Sequence, residues 1–347
     1  MKFDSLVFIG RFEPFHNGHL EVLQRAFTLS KKVLVILGSA RRPRTIKDPW
    51  NVAERKVMIS ACFPEEMASG RLLFGSVTDR MYNDQQWAAS VQAEVAAMSG
   101  QVADEWVGII GHSKDRSSFY LRMFPQWELV DVPSVAGLSA TEIRGYLFSS
   151  EGALDQGTAM LVQSAVPTPV SAFLERFRET PYFAPLVREY QFIKAYRSQF
   201  AGLKYPPIFS TTDAVVVQSG HLLLVQRKAA PGEGLWALPG GFVQADERLV
   251  DGMLRELREE TRLKVPEPVL RGSIKADKVF DHPERSLRGR TITHAFLIEL
   301  ADGPLPPVKG ADDAAKAKWL PIAQVMEMDE VMFEDHLDII RYFLGTV

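Results

Sequence analysis

In the first third of the chain, short apolar runs alternate with stretches in which apolar positions recur every three or four residues. Leu6–Ile9, Val33–Leu37, Leu72–Val77 and Glu105–Ile110 read as strands, while Val52–Cys62 and Gln85–Met98 read as helices. This alternation predicts an α/β fold with a parallel sheet covered by helices on both faces. From Pro167 to Leu203 the spacing is helical throughout, with Pro181 and Pro185 as interruptions, and it ends at Lys204-Tyr205-Pro206-Pro207. Two β-rich runs then flank Ser219-Gly220 in a hairpin pattern, and a long helical pattern follows Gly240-Gly241. The expected organisation is a first domain over 1–180, a helical linker over 181–204 and a second domain over 205–347, without internal repeats.

Composition changes this picture little. With 347 residues, 46% of them apolar, the chain can build more than one core. A net charge of −3 gives no general attraction to nucleic acid or to anionic membranes, so an anionic ligand needs locally placed cations. Cys62 stands alone, which excludes an intramolecular disulfide and a cysteine-based zinc site. Neither a secretory apolar region nor a membrane-length apolar stretch occurs. A cytoplasmic protein is expected, with no nucleic-acid or membrane partner, and a homo-oligomer remains open.

Candidate chemistry begins where the first strand ends. In such a sheet ligands bind beyond the carboxyl ends of the strands, and Gly10-Arg11-Phe12-Glu13-Pro14-Phe15-His16-Asn17-Gly18-His19 occupies that place, before a helix expected from about Gly18 to Leu29. A helix start offers N–H donors and a partial positive charge, Gly18 lets a phosphate approach the backbone, and Arg11, His16 and His19 add charge and donors. The residues suit a polyphosphate. Farther on, Gly137–Leu147 carries Ser139 and Glu142 in capping-box spacing. Arg144, one turn into that helix, reaches the same phosphates as the hydroxyls of Ser139 and Thr141 if the last strand brings the two turns together.

His16-Asn17-Gly18-His19 matches the HxGH motif of nucleotidylyltransferases, and Ser139–Arg144 resembles their SxTxIR-type motif. The longer match from Gly10 to His19 is similar to NMN adenylyltransferases of the archaeal-like type. The resemblance covers roughly residues 1–170 and implies that ATP and NMN combine to give NAD and pyrophosphate. It implies His16, His19 and Arg144 as catalytic residues and Gly10, Arg11, Phe12, Gly18, Ser139 and Thr141 as the ATP-binding set. For the acceptor, Trp50 or Trp87 would stack on the nicotinamide and Asn83 would bond its carboxamide. Asp48 departs from the asparagine expected before the proline. Gly111, His112, Lys114 and Asp115 lie at the same edge without an assigned role.

In the second domain, five residues separate Gly241 from Glu247 and seven more precede Arg255, with Glu256, Glu259 and Glu260 following. Positions i, i+3 and i+4 share one helix face, so three carboxylates are expected to converge, and like charges at that density call for a cation. An all-oxygen set suits Mg²⁺ or Mn²⁺. In its strand, loop and helix context the pattern resembles the box of Nudix hydrolases. Arg262 stands where the general box has glycine; a left-handed residue there would cost roughly 1 kcal/mol, so the helix is expected to end differently.

Val279–Phe296 is similar to the substrate strand and loop of Nudix proteins that handle ADP-ribose. Arg285, Arg288 and Arg290 would neutralise its phosphates and Trp236 would stack on a base. The combined resemblance implies an N-terminal doubly wound parallel-sheet nucleotidylyltransferase domain followed by a C-terminal α/β/α Nudix domain, one making NAD and the other hydrolysing ADP-ribose to AMP and ribose 5-phosphate. The alternative is transfer to another phosphorylated acceptor, such as phosphopantetheine, beside a Nudix domain that senses ADP-ribose or NAD without cleaving it.

Overall fold

The computed structural model describes residues 1–99, 105–112, 116–133 and 139–345, so Lys114, Asp115 and Gly137 lie outside the described residues. The chain divides into two compact units, Met1–Tyr190 and Gln191–Val347.

The first unit runs β1 (Phe3–Gly10), α1 (Asn17–Leu29), β2 (Ser30–Leu37), α2 (Val52–Ser60), α3 (Pro64–Ala68), β3 (Leu72–Ser76), α4 (Asp84–Ser99), β4 (Val107–Gly111), β5 (Glu128–Asp131), α5 (Ala140–Leu147), α6 (Gln156–Ala165) and α7 (Thr168–Arg178). Helix α8 (Phe183–Ser198) begins here and continues into the second unit. The strands pair in the order β3-β2-β1-β4-β5, all parallel. Alternation on β1 explains the unbroken apolar runs: Leu6 and Phe8 pack with Val22 and Leu23 of α1, whereas Val7 and Ile9 pack with Val91 and Val95 of α4. Strand order reverses at β1, with β2 on one side and β4 on the other, so the turn after β1 opens into a switch-point crevice.

Two details differ from expectation. Strand β5 carries no apolar run that would mark it in the sequence, because it is a four-residue edge strand whose side chains are mostly exposed. Pro185 does not interrupt a helix: it lies in the first turn of α8, where a missing N–H breaks no helical bond.

The second unit contains β6 (Phe209–Gln218), β7 (His221–Arg227), β8 (Trp236–Ala237), β9 (Gly240–Phe242), α9 (Leu249–Thr261), α10 (Glu267–Gly272), β10 (Ile274–Phe280), β11 (Thr291–Glu299), β12 (Ala314–Pro321), α11 (Ile322–Val325) and α12 (His336–Phe343). Its sheet is mixed, in the order β10-β11-β6-β7-β12, with β8 on β7 and β9 on β6. Ser219 and Gly220 both take positive φ between β6 and β7, as a tight hairpin requires. Helix α9 buries Met253, Leu254 and Leu257 against Ala214, Val216 and Phe296; each such side chain contributes about 1.5–3 kcal/mol. Among the described residues no helix is long and apolar enough to cross a membrane.

Candidate active sites

The first site starts from a crowded turn. Phe12 adopts a left-handed backbone (φ 57°) and folds its ring back over Gly10, where an added Cβ would lie 2.8 Å from the ring. Glycine is therefore required at position 10. The two histidines form a capping box at the start of α1: His16 Nδ1 accepts from Gly18 N–H (3.1 Å) and His19 Nδ1 accepts from His16 N–H (3.2 Å). With both Nδ1 atoms accepting, each neutral ring carries its proton on Nε2. The rings stack 3.7 Å apart, and Phe8, Phe12 and Phe15 surround His19. Spacing of three thus closes the capping box of α1. The open N–H groups expected at the helix start are corrected at Gly18, whose donor is taken by His16.

Ser139 and Glu142 form the capping box expected for α5, and Ser139 Oγ donates to Glu142 at 2.7 Å. The fold brings this turn to the first: Arg144 donates to the Glu13 carbonyl and to Thr141 Oγ1 (3.3 Å). Burial and then the nearby Arg11 charge push the Arg144 guanidinium down to about 10, so it stays charged at neutral pH. Two neighbouring cations and two imidazole donors in one crevice describe a receptor for a polyanion.

Arg55 of α2 is a site residue that pattern reading missed. It is 1% exposed and pairs with the equally buried Glu13 (3.2 Å). Its guanidinium also donates to the carbonyls of Arg11 (2.8 Å), Gly38 (2.7 Å) and Ser39 (3.3 Å), tying together the turns after β1 and β2. Phe12 and Ser39, both with positive φ, flank those carbonyls. The available signal was weak: Arg55 shares a helix face with Met58 and Ile59. Arg55→Lys keeps the charge and loses the fork, so we expect adenylyl transfer to drop and the melting free energy to fall by about 3 kcal/mol. Calorimetric melting read beside both activities checks this.

The acceptor residues are placed unequally. Trp50 is 2% exposed and packs on Phe148 and Phe177, which corrects its expected stacking on a ligand: the ring fills the core. Asn83 Oδ1 accepts from Gln86 N–H (2.9 Å) at the start of α4, so its carbonyl is used as a cap. Trp87 is half-buried beside Tyr120 and Phe124, and the Tyr120 hydroxyl donates to Ile9 O at the carboxyl end of β1. His112 sits at the end of β4 with Nδ1 2.7 Å from Val132 O.

In the second unit, β9 runs between β6 and α9: Gly240 lets it approach Thr212 and Asp213 of β6, and Gly241 lets it approach α9. An added Cβ at Gly241 would lie 2.5 Å from Glu256 Oε1. Glu260 is 7% exposed and accepts from Gly240 N–H (3.0 Å); burial, with the Glu256 charge adding, raises its carboxyl to about 8. Arg255 spans Glu247 (2.7 Å), Glu256 (2.8 Å) and Glu259 (3.0 Å). Glu256, Glu259 and Glu260 face one cavity, and a single Arg255 nitrogen bonds both Glu256 and Glu259; the close convergence expected of the three is corrected to that extent, since among the described residues no three acidic, histidine or cysteine side chains are gathered in metal-holding geometry. The donor set still fits a hard divalent cation, because Glu256 and Glu260 present carboxylate oxygens beside the glycine strand, and burial with the Glu256 charge outweighs Arg227 in raising the Glu260 carboxyl. Arg262 is also a correction. It is left-handed (φ 51°), its N–H bonding Arg258 O at 3.0 Å, and this turns Leu263 back into the core; burying Leu263 offsets the conformational cost of about 1 kcal/mol.

Glu256 and Glu260 line a cavity of about 440 Å³, faced by Arg227, Arg288, Glu334 and His336. Arg288 faces the same cavity with its guanidinium 5.0 Å over the Phe242 ring. Arg285 also lines the cavity, but its guanidinium is committed to Asp335 (2.8 and 2.9 Å) in a buried fork, so its expected phosphate role is corrected to one of pinning the segment before α12. Arg290 bonds the Asp281 carbonyl, and neither it nor Trp236 lines the cavity; both expectations are corrected. Arg227, Glu334 and His336 were missed, since they come from a strand end and a segment without a motif. His336 Nδ1 accepts from Leu238 N–H (2.9 Å), and burial keeps the ring neutral.

A family model described as cytidylyltransferase-like matches residues 7–145, and one described as NUDIX domain matches residues 209–343. Over 191 residues, 55% of this chain and 95% of the relative, the sequence is 38% identical to a nicotinamide/nicotinic acid mononucleotide adenylyltransferase of Acinetobacter baylyi. Over 132 residues, 38% of the chain and 70% of the relative, it is 32% identical to an ADP-ribose pyrophosphatase of Methanocaldococcus jannaschii. A crystal structure of a bifunctional NMN adenylyltransferase/ADP ribose pyrophosphatase from Francisella tularensis, complexed with AMP and manganese, is 34% identical with a TM-score of 0.90, covering 99% of each chain.

Proposed function

The chain belongs to the family of bifunctional NMN adenylyltransferase/ADP-ribose pyrophosphatases, and on that premise we propose how its residues divide the two reactions. The first, assigned to residues 1–180, joins ATP and NMN. An NMN phosphate oxygen attacks the α-phosphorus of ATP, the bond to the bridging oxygen breaks, and pyrophosphate leaves with that electron pair. No protein nucleophile is needed; alignment and charge neutralisation carry the rate. The Nε2–H groups of His16 and His19 donate to phosphate oxygens, Arg11 and Arg144 balance the developing charge, and Ser139 and Thr141 flank the same turn. The observation that carries this reading is the Arg144 bond to the Glu13 carbonyl, which joins the two motifs in one crevice.

Trp87, at the carboxyl edge, takes the nicotinamide side. Trp87→Ala is expected to raise KM for NMN by about tenfold while moving that for ATP little, since only one substrate loses a stacking surface. Equal changes in both constants would make Trp87 structural.

The second reaction, assigned to 205–347, hydrolyses ADP-ribose to AMP and ribose 5-phosphate. Glu256, Glu259 and Glu260 would hold Mg²⁺ or Mn²⁺, and the cation would supply neutralisation of the diphosphate. Arg288 contacts the phosphates from across the cavity, while Arg255 fixes the carboxylate face. Water adds to one phosphorus and the bond to the bridging oxygen breaks, so the water oxygen stays on one product and the bridging oxygen on the other; the two protons of the water are released as both products become phosphate dianions. A cytoplasmic location agrees with the lone Cys62, whose thiol burial pushes up to about 11.

One preparation tests both halves. The purified chain with a divalent cation receives ATP plus NMN in one tube and ADP-ribose in another, and the products are separated by chromatography. NAD in the first and AMP in the second are expected; absence of either product removes that half of the proposal.

A further inference from the structure

The loop between β2 and α2 is held from a distance in sequence. Ile46 N–H donates to Glu189 Oε2 of α8 at 3.0 Å. Two residues earlier, the Arg44 guanidinium lies 4.2 Å over the Tyr182 ring and 5.7 Å from that of Phe177, while it also pairs with Glu54 (2.8 Å) and bonds the Pro49 carbonyl. Within the loop Thr45 Oγ1 accepts from the N–H groups of Lys47 (3.3 Å) and Asp48 (3.2 Å), and Thr45 N–H returns to Asp48 O (3.2 Å). The turn is thus a rigid unit with its outer side fastened to α7, α8 and the segment joining them.

Its inner side faces the phosphate crevice. The Asp48 carboxylate acts on both Glu13 and Arg144, and Trp50 N–H donates to Glu13 Oε2 at 3.2 Å. Strand order separates the loop from the second motif: α5, with Ser139 and Thr141, follows β5 on the β4 side of the switch point, whereas this loop and the turn after β3, which leads to Trp87 on the proposed nicotinamide side, lie on the β2 side. The two loops are laced together, Ser39 Oγ donating to Asp79 (2.6 Å) and Ala40 N–H to Val77 O (3.1 Å).

We propose that Glu189 is a positioning residue for NMN: with Tyr182 it clamps the 44–50 loop, so that the start of α8 belongs to the transferase site and is not a linker. The inference rests on the adenylyl-transfer reading above. Neither residue touches the reacting phosphates; each acts through the backbone at Ile46 and the side chain of Arg44.

The test uses the full chain with Glu189→Ala, Glu189→Gln and Tyr182→Ala, varying NMN at saturating ATP and the converse. We expect KM for NMN to rise about tenfold in Glu189→Ala with kcat and the ATP constant within about twofold, and Glu189→Gln, which keeps an acceptor oxygen, to recover most of the loss. Tyr182→Ala should shift the NMN constant in the same direction. Melting temperature and ADP-ribose hydrolysis should stay unchanged, because Glu189 is only half-buried and Tyr182 is exposed. Unchanged constants, or equal changes for both substrates with a lower melting temperature, overturn the clamp. A wild-type chain that makes no NAD overturns the transfer reading itself, and the clamp falls with it.

Discussion

Replacing His19 with alanine is expected to lower NAD synthesis by about two to three orders of magnitude, the loss typical of one donor aimed at developing oxyanion charge. The ring does two things, however, and the second must be separated from the first. Its Nδ1 caps the helix by accepting from His16 N–H, and losing a cap costs about 1 kcal/mol of stability. Glutamate at the same position of a capping box restores that acceptor, but it puts negative charge where the phosphates lie. His19→Glu should therefore melt close to wild type and be at least as inactive as His19→Ala. Recovery of turnover in the glutamate variant would show that the cap, not the Nε2 donor, sets the rate. Near-normal turnover in the alanine variant at saturating substrate would remove the histidine from the mechanism. ADP-ribose hydrolysis, in the other half of the chain, serves as the internal control and should not change.

Glu260→Gln is expected to reduce ADP-ribose hydrolysis by at least about a hundredfold while ATP-plus-NMN turnover stays near normal. Volume is conserved and the amide oxygen can still accept from Gly240 N–H, so the change removes charge and little else. A stability measurement tells loss of the site from loss of the fold. The Glu260 carboxyl moves from an ordinary value of 4.5 up to about 8 on folding, chiefly by burial. Its contribution is complete below pH 4.5 and is lost as pH rises through 8. Wild type without divalent cation should lose melting temperature across that window, and the glutamine variant should lose less. Glu256→Gln should give the same kinetic pattern, with effects that do not add, since ligands of one ion act together. Wild type without metal-dependent cleavage, or a glutamine variant that cleaves as well as wild type, would refute the assignment. ADP-ribose that binds tightly and stays uncut would put the sensing role in its place.

The sequence by itself determined what depends on short range. Apolar runs buried on both faces mark the parallel strands; the Ser139–Glu142 and His16–His19 spacings follow one helical turn; Glu256, Glu259 and Glu260 share the helix face that a period of 3.6 assigns them. Within those elements the chemistry was legible because each group sits within four residues of its neighbours. Only the tertiary structure decided contacts made across the chain. Arg55 reaches the carbonyls of Arg11 and Gly38, the Arg285 guanidinium is committed to Asp335, Trp50 goes inward, and Arg255 engages both Glu256 and Glu259. Arg262 turns left-handed because Leu263 must enter the core. The physical reason is common to all of these. An arginine, a tryptophan or a carboxylate reads alike whether it meets solvent, a ligand or another side chain, and that choice is made by burial, which belongs to the packed chain.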